Sequence, residues 1–166
     1  MAIPPEVERM LDELAGMPAH VEAAARAMDD VRACTPPADG GFSLVEQAWH
    51  LADLETEGYG ERIRRLLAEA EPLLPDFDGA RRAAERNYRA KPLAEGIAAF
   101  AAARAANLAL LRTVSSAAWD RAGRQEGVGR VTLRDIPRMM RDHDRSHREE
   151  IRSLLAGATP PPSARA

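Results

Sequence analysis

One cysteine, one lysine and few aromatic residues set the first limits on this chain. Cys34 stands alone, which excludes an internal disulfide and any cysteine-rich zinc site. Aromatics make up 4% of the 166 residues and β-branched residues are sparse; a sandwich or barrel needs both, so the composition favours helix. Lys91 is the single lysine among 23 basic residues, and with abundant alanine this is what a GC-rich genome writes. Positive charge is not in excess either: a net charge of -3 and a pI near 5.8 argue against a dedicated nucleic-acid binder. No apolar run approaches the roughly 18–20 residues of a membrane span. Met1-Ala-Ile-Pro-Pro-Glu6 lacks the charged-then-apolar pattern of a leader. The expectation is a cytoplasmic protein with neither nucleic acid nor membrane as partner. What is present, 45% hydrophobic and 30% charged residues, suffices for one buried core.

The periodicity predicts four long helices. The first runs over 5–33, with Val7, Met10, Leu11, Leu14, Met17, Val21 and Met28 at helical spacing and a bend at Gly16 and Pro18. The second opens at the capping box Ser43-Leu-Val-Glu46 and runs to about Ala70. A short helical piece falls around Arg81–Tyr88. The third helix spans about 92–114 and the fourth starts near Thr132–Asp135 and ends by Gly157. With no strand pattern in sight, this reads as an all-α four-helix bundle occupying 1–157, followed by a disordered tail over 158–166.

Helical wheels place the chemistry. On the fourth helix Leu133, Ile136, Met139, Met140, Ile151 and Leu154 form an apolar stripe, and His143 and His147 interrupt it at i and i+4. Such a pair bridges a divalent metal readily, although a hydrogen-bonded core pair is the alternative. On the third helix Arg104 lies at the centre of the Leu93, Ile97, Phe100, Leu108 and Leu111 stripe, so a carboxylate or a substrate anion must face it. Glu55, within the apolar side of the second helix, is the candidate, either as a structural ion pair or as part of an active site. His50 falls on the polar side of that helix with Glu57 and Glu61, which on the wheel alone makes it a surface residue. Asp53, three residues on, could orient the His50 imidazole or be solvated. His20 reads as surface, and nothing near Cys34 suggests an activated thiolate.

Competing motifs fail. His143-Asp-Arg-Ser-His147 is the zinc-protease pattern with Asp144 in place of glutamate and no third ligand downstream. The paired Glu-x-x-His motifs of di-iron bundles are missing. Gly127-Val-Gly129 lacks the lysine and serine of a phosphate loop.

Three segments in order resemble one family. Phe42-Ser-Leu-Val-Glu-Gln-Ala-Trp-His-Leu-Ala-Asp-Leu-Glu55, then Phe100-Ala-Ala-Ala-Arg104, then Gly129-Arg-Val-Thr-Leu133 followed by His143-Asp-Arg-Ser-His147 are similar to the DinB/YfiT-like superfamily. Phe42 stands where the family usually has tryptophan. The resemblance implies a four-helix bundle, often a homodimer, holding one divalent metal on His50, His143 and His147. It also implies relatives that are transferases or isomerases using low-molecular-weight thiols such as bacillithiol, mycothiol or glutathione, and others that are metal-binding, stress-associated proteins. Three neutral imidazoles leave zinc or nickel its full charge and an open position, enough to activate a thiol or a water. The expected function is a metal-dependent transferase acting on a small molecule with a thiol cosubstrate. Arg104 is then a group that could steer an anion. The alternatives are a metal-dependent hydrolase, a non-catalytic metal-binding protein of a stress response, and a plain structural bundle.

Overall fold

Proline and glycine cut the chain where a helix cannot continue, and the computed structural model, which describes residues 3–157, shows four helical rods divided accordingly. The first rod is α1 (Pro5–Ala15) and α2 (Met17–Arg26), which meet at Gly16 with Pro18 in the first turn of α2. A one-turn α3 (Asp30–Cys34) follows, capped by the Asp29 carboxylate on the Arg32 amide. The expected tail over 158–166 lies outside the described residues.

The second rod is α4 (Leu44–Asp53), a π-helical segment (Leu54–Gly60) and α5 (Glu61–Ala68). Ser43 and Glu46 form the expected capping box, each side chain accepting from the other's backbone amide. The π segment is where the expectation of one uniform helix over 43–70 is corrected. Its wider turn crowds the backbone, and a Cβ on Gly60 would stand 2.6 Å from the Glu55 carbonyl oxygen. The Asn107 side-chain amide donates to that same carbonyl at 2.8 Å, supplying a partner from the neighbouring rod.

Beyond the second rod come β1 (Leu73–Leu74), α6 (Gly79–Arg86) and a single 3-10 turn (Tyr88–Ala90). The third rod is α7 (Leu93–Arg112). After a 3-10 turn (Ser116–Asp120) the strands β2 (Ala122–Gln125) and β3 (Gly129–Thr132) form a hairpin, and α8 (Asp135–Ala156) is the fourth rod. β1 pairs parallel to β2, and β2 antiparallel to β3, as a small sheet beside the bundle. These strands were not expected; at two to four residues they are too short for a period-two pattern to show. Gly127 and Gly129, with φ of 73° and 102°, close the hairpin turn.

By length and composition α7 is apolar enough to cross a membrane, which corrects the expectation that no segment is. Nine of its 20 residues are alanines, so its hydropathy comes from small side chains, and at its centre sits the buried, ion-paired Arg104.

The core has two apolar halves. One is built on Val7, Leu11, Ile63, Leu66, Leu111, Trp119, Leu133 and Met140, the other on Met17, Val21, Val45, Ala48, Leu51, Phe100 and Ile151. On the third and fourth rods the buried polar residues, Arg104 and Asn107 and then Asp144 and His147, fall in sequence between these halves, and on the second Gln47, His50, Asp53 and Glu55 lie around their junction. The bundle therefore carries a buried polar layer across its middle.

Candidate metal centre

Arg104 organises that layer. It is 2% exposed, and its guanidinium makes four hydrogen bonds and two ion pairs. Nε and Nη2 reach Glu55 Oε1 at 2.8 and 2.7 Å, Nη1 and Nη2 take the two oxygens of Asp144 at 2.7 and 2.9 Å, and Nη1 also donates to the Leu14 carbonyl. Burial alone would lower its pKa, but the Asp144 and Glu55 carboxylates outweigh this and raise it. The expected Arg104–Glu55 pair is thus real, and Asp144 is the partner it missed. The signal was available: Met140, Asp144, His147 and Ile151 follow four-three-four spacing, and all four are buried. Burial pushes the Glu55 carboxyl up, against the pull of Arg104 and Asn107. Two carboxyl groups thus share one guanidinium in this layer.

The three histidines meet beside this cluster. His50 Nε2 lies 3.4 Å from His143 Nε2, and His147 Nε2 lies 3.2 Å from the same atom. Tetrahedral zinc at about 2.0–2.1 Å from each nitrogen spaces its ligand atoms about 3.3 Å apart, so both separations fit such an ion. His147 is held by Gln47 Oε1 at 3.0 Å and Glu150 Oε2 at 3.2 Å, both on Nδ1. Those acceptors place the proton on Nδ1 and leave the Nε2 lone pair facing the other two rings. Gln47, 1% exposed, was not anticipated. Burial first, then the neighbouring histidines, hold the His50 pKa down to about 3. His143 is likewise held at about 3 by burial first and then His147, with Arg104 and Arg62 adding to this and Glu150 opposing it. Both rings are therefore neutral, as metal ligands must be.

His50 corrects the wheel. It is buried although its helix face looked polar, because α4 is covered on all sides and only Trp49 among its ten residues is not buried. The first residue of α6 lies on the imidazole: a Cβ on Gly79 would stand 2.5 Å from His50 Cε1 and 2.7 Å from Nδ1. Phe42 and Phe77 flank the ring at 5.4 and 6.0 Å. Asp53 does not orient His50. Its carboxylate accepts from the Tyr88 hydroxyl and pairs with Arg86 at 2.7 Å, and His50 Nδ1 has no partner among the described residues. His20 is partly buried rather than on the surface, and Cys34 is exposed. A hollow of about 840 Å³ over the sheet is lined by none of the three histidines.

The sequence model of the DinB superfamily matches residues 7–151. No curated protein matches the chain. Among solved structures the chain is similar to YfiT from Bacillus subtilis, described as "a probable metal-dependent hydrolase with an unusual four-helix bundle topology". The two are 23% identical with a TM-score of 0.84, over 94% of this chain and 90% of that one, a likeness of fold.

Proposed function

The chain belongs to the DinB superfamily, and from that premise we propose that His50, His143 and His147 hold one divalent ion, zinc or nickel, with which the protein transfers a low-molecular-weight thiol to a small electrophile. A bound ion of this kind supplies Lewis acidity that lowers the pKa of a thiol or water placed against it. The protein's own residues provide the rest: Gln47 and Glu150 fix the His147 tautomer, and Phe42 and Phe77 wall the His50 side.

The observation that favours a thiol over a hydrolytic water is the state of the carboxylates. Hydrolysis of the zinc-protease kind needs a free general base beside the water, in the place held by Asp144. Asp144 and Glu55 are taken by Arg104, Asp53 by Tyr88 and Arg86, and Glu150 by His147. A thiol with a lowered pKa needs no such base. The description of YfiT from Bacillus subtilis as a probable metal-dependent hydrolase supports the second reading, a metal-dependent hydrolase. The same proposal takes a cytoplasmic homodimer as the working form.

The test is turnover by the metal-loaded protein with bacillithiol, mycothiol or glutathione against a panel of small electrophiles. Adduct formation lost in His147→Ala is the expected result. No turnover with any thiol, together with metal-dependent cleavage of an ester or amide, would overturn it in favour of the hydrolase.

A further inference from the structure

Two arginines are buried among the described residues, and only one is neutralised. Arg104 has two carboxylates and a carbonyl. Arg62, on the first turn of α5 and 5% exposed, makes one hydrogen bond, from Nη2 to the Pro75 carbonyl at a stretched 3.4 Å. Its Nε is sealed from solvent and has no partner among the described residues. Asp76 acts on it through space without forming an ion pair, and burial pulls its pKa below the usual arginine value. A buried guanidinium with unmet donors costs stability, and Arg104 shows how this fold satisfies one when the charge is structural.

The surroundings of Arg62 lead to the histidines. Its guanidinium carbon lies 5.5 Å from the centre of the Tyr59 ring, and that ring stands edge-on to His143 at 6.3 Å. The Tyr59 hydroxyl donates to the Met139 carbonyl, so the ring that neighbours both Arg62 and His143 is tied to α8. On the other side, the stretch that supplies the Pro75 carbonyl continues to Phe77, which flanks His50. Arg62 thus stands one aromatic ring away from the three-histidine cluster, its guanidinium over the Tyr59 face.

We propose that Arg62 is the anion anchor of this centre, and that the small molecule the site accepts carries a carboxylate a few bonds away from the group presented to the histidines. The proposal rests on the three-histidine metal reading. A carboxylate matches the planar fork of a guanidinium through paired N–H donors and brings the counter-charge that the Pro75 carbonyl lacks. Arg62 is here a binding and specificity residue with no part in proton transfer.

The test uses the full chain loaded with cobalt(II), whose absorption reports a sulfur ligand directly. The probes are ω-mercaptocarboxylates from mercaptoacetate to 6-mercaptohexanoate, each compared with the ω-mercaptoalcohol of the same length. At one or more lengths the acid is expected to bind about tenfold or more tightly than the alcohol, the size of a charge-assisted hydrogen bond. Arg62→Met should abolish that preference and leave cobalt content and alcohol affinity unchanged, and Arg62→Lys should restore part of it. No acid preference at any length in the wild type, which requires no variant to fold, would overturn the proposal. So would a preference that survives in cobalt-loaded Arg62→Met. Failure of the wild type to take up cobalt at all would instead defeat the metal reading, and the anchor with it.

Discussion

At the scale of single residues, the buried charges are the most exacting part of the molecule. Removing Arg104 strands two carboxylates, whereas removing Glu55 leaves the guanidinium with Asp144. Arg104→Met is therefore expected to cost about 3–5 kcal/mol and Glu55→Gln less, with the double variant costing less than their sum. Urea unfolding of the four proteins measures this; strict additivity would mean that the pair is not coupled. The pairing of Arg104 with Glu55 was legible because a charge at the centre of an apolar stripe demands an opposite one. Asp144 was overlooked because the histidines beside it drew the stripe through His143, which is only partly buried, although the four-three-four spacing runs through Asp144. For Asp53, hydrogen bonding by Tyr88 and Arg86 overrides its proximity in sequence to His50.

At the scale of elements, the wheel works where a helix has one wet face and fails where it has none. α7 and α8 have exposed faces, and the positions of Arg104 and His147 follow from their patterns. α4 has almost none: α6 and the Tyr88 turn cover the side that holds His50 and Asp53, a tertiary arrangement that no period within 43–70 encodes. The π segment was equally invisible, since it is stabilised from outside by Asn107. Docking of α6 on His50 carries a prediction. Gly79→Ala adds a methyl group into the imidazole and should weaken metal affinity by about tenfold or more, the usual size of an effect on a ligand's support, with helix content unchanged. Equilibrium dialysis against a competing chelator measures it, and unchanged affinity would show that α6 gives way instead of His50.

At the scale of the whole molecule, the two apolar halves account for a bundle and the polar layer between them for its chemistry. The bundle and the order of its rods were legible because rods of this length repeat their pattern many times, whereas the small sheet was not. The layer also governs stability. His50 and His143 are held at about 3 in the folded chain, below the roughly 6.5 of an unfolded histidine. As the pH falls below about 6.5 the unfolded chain takes up protons that the folded one refuses, so stability is full above that value and is lost progressively toward 3. For metal-free protein the loss approaches about 1.4 kcal/mol per pH unit for each of the two rings. Urea midpoints at pH 7.5 and 5 should therefore differ, and by less in His50→Gln; equal midpoints would contradict neutral burial. The most direct test of the central claim is elemental analysis of the chain purified without a polyhistidine tag. One zinc or nickel per wild-type chain, with large losses in each of His50→Ala, His143→Ala and His147→Ala, is the result expected. Undiminished metal in His50→Ala would contradict the three-histidine centre.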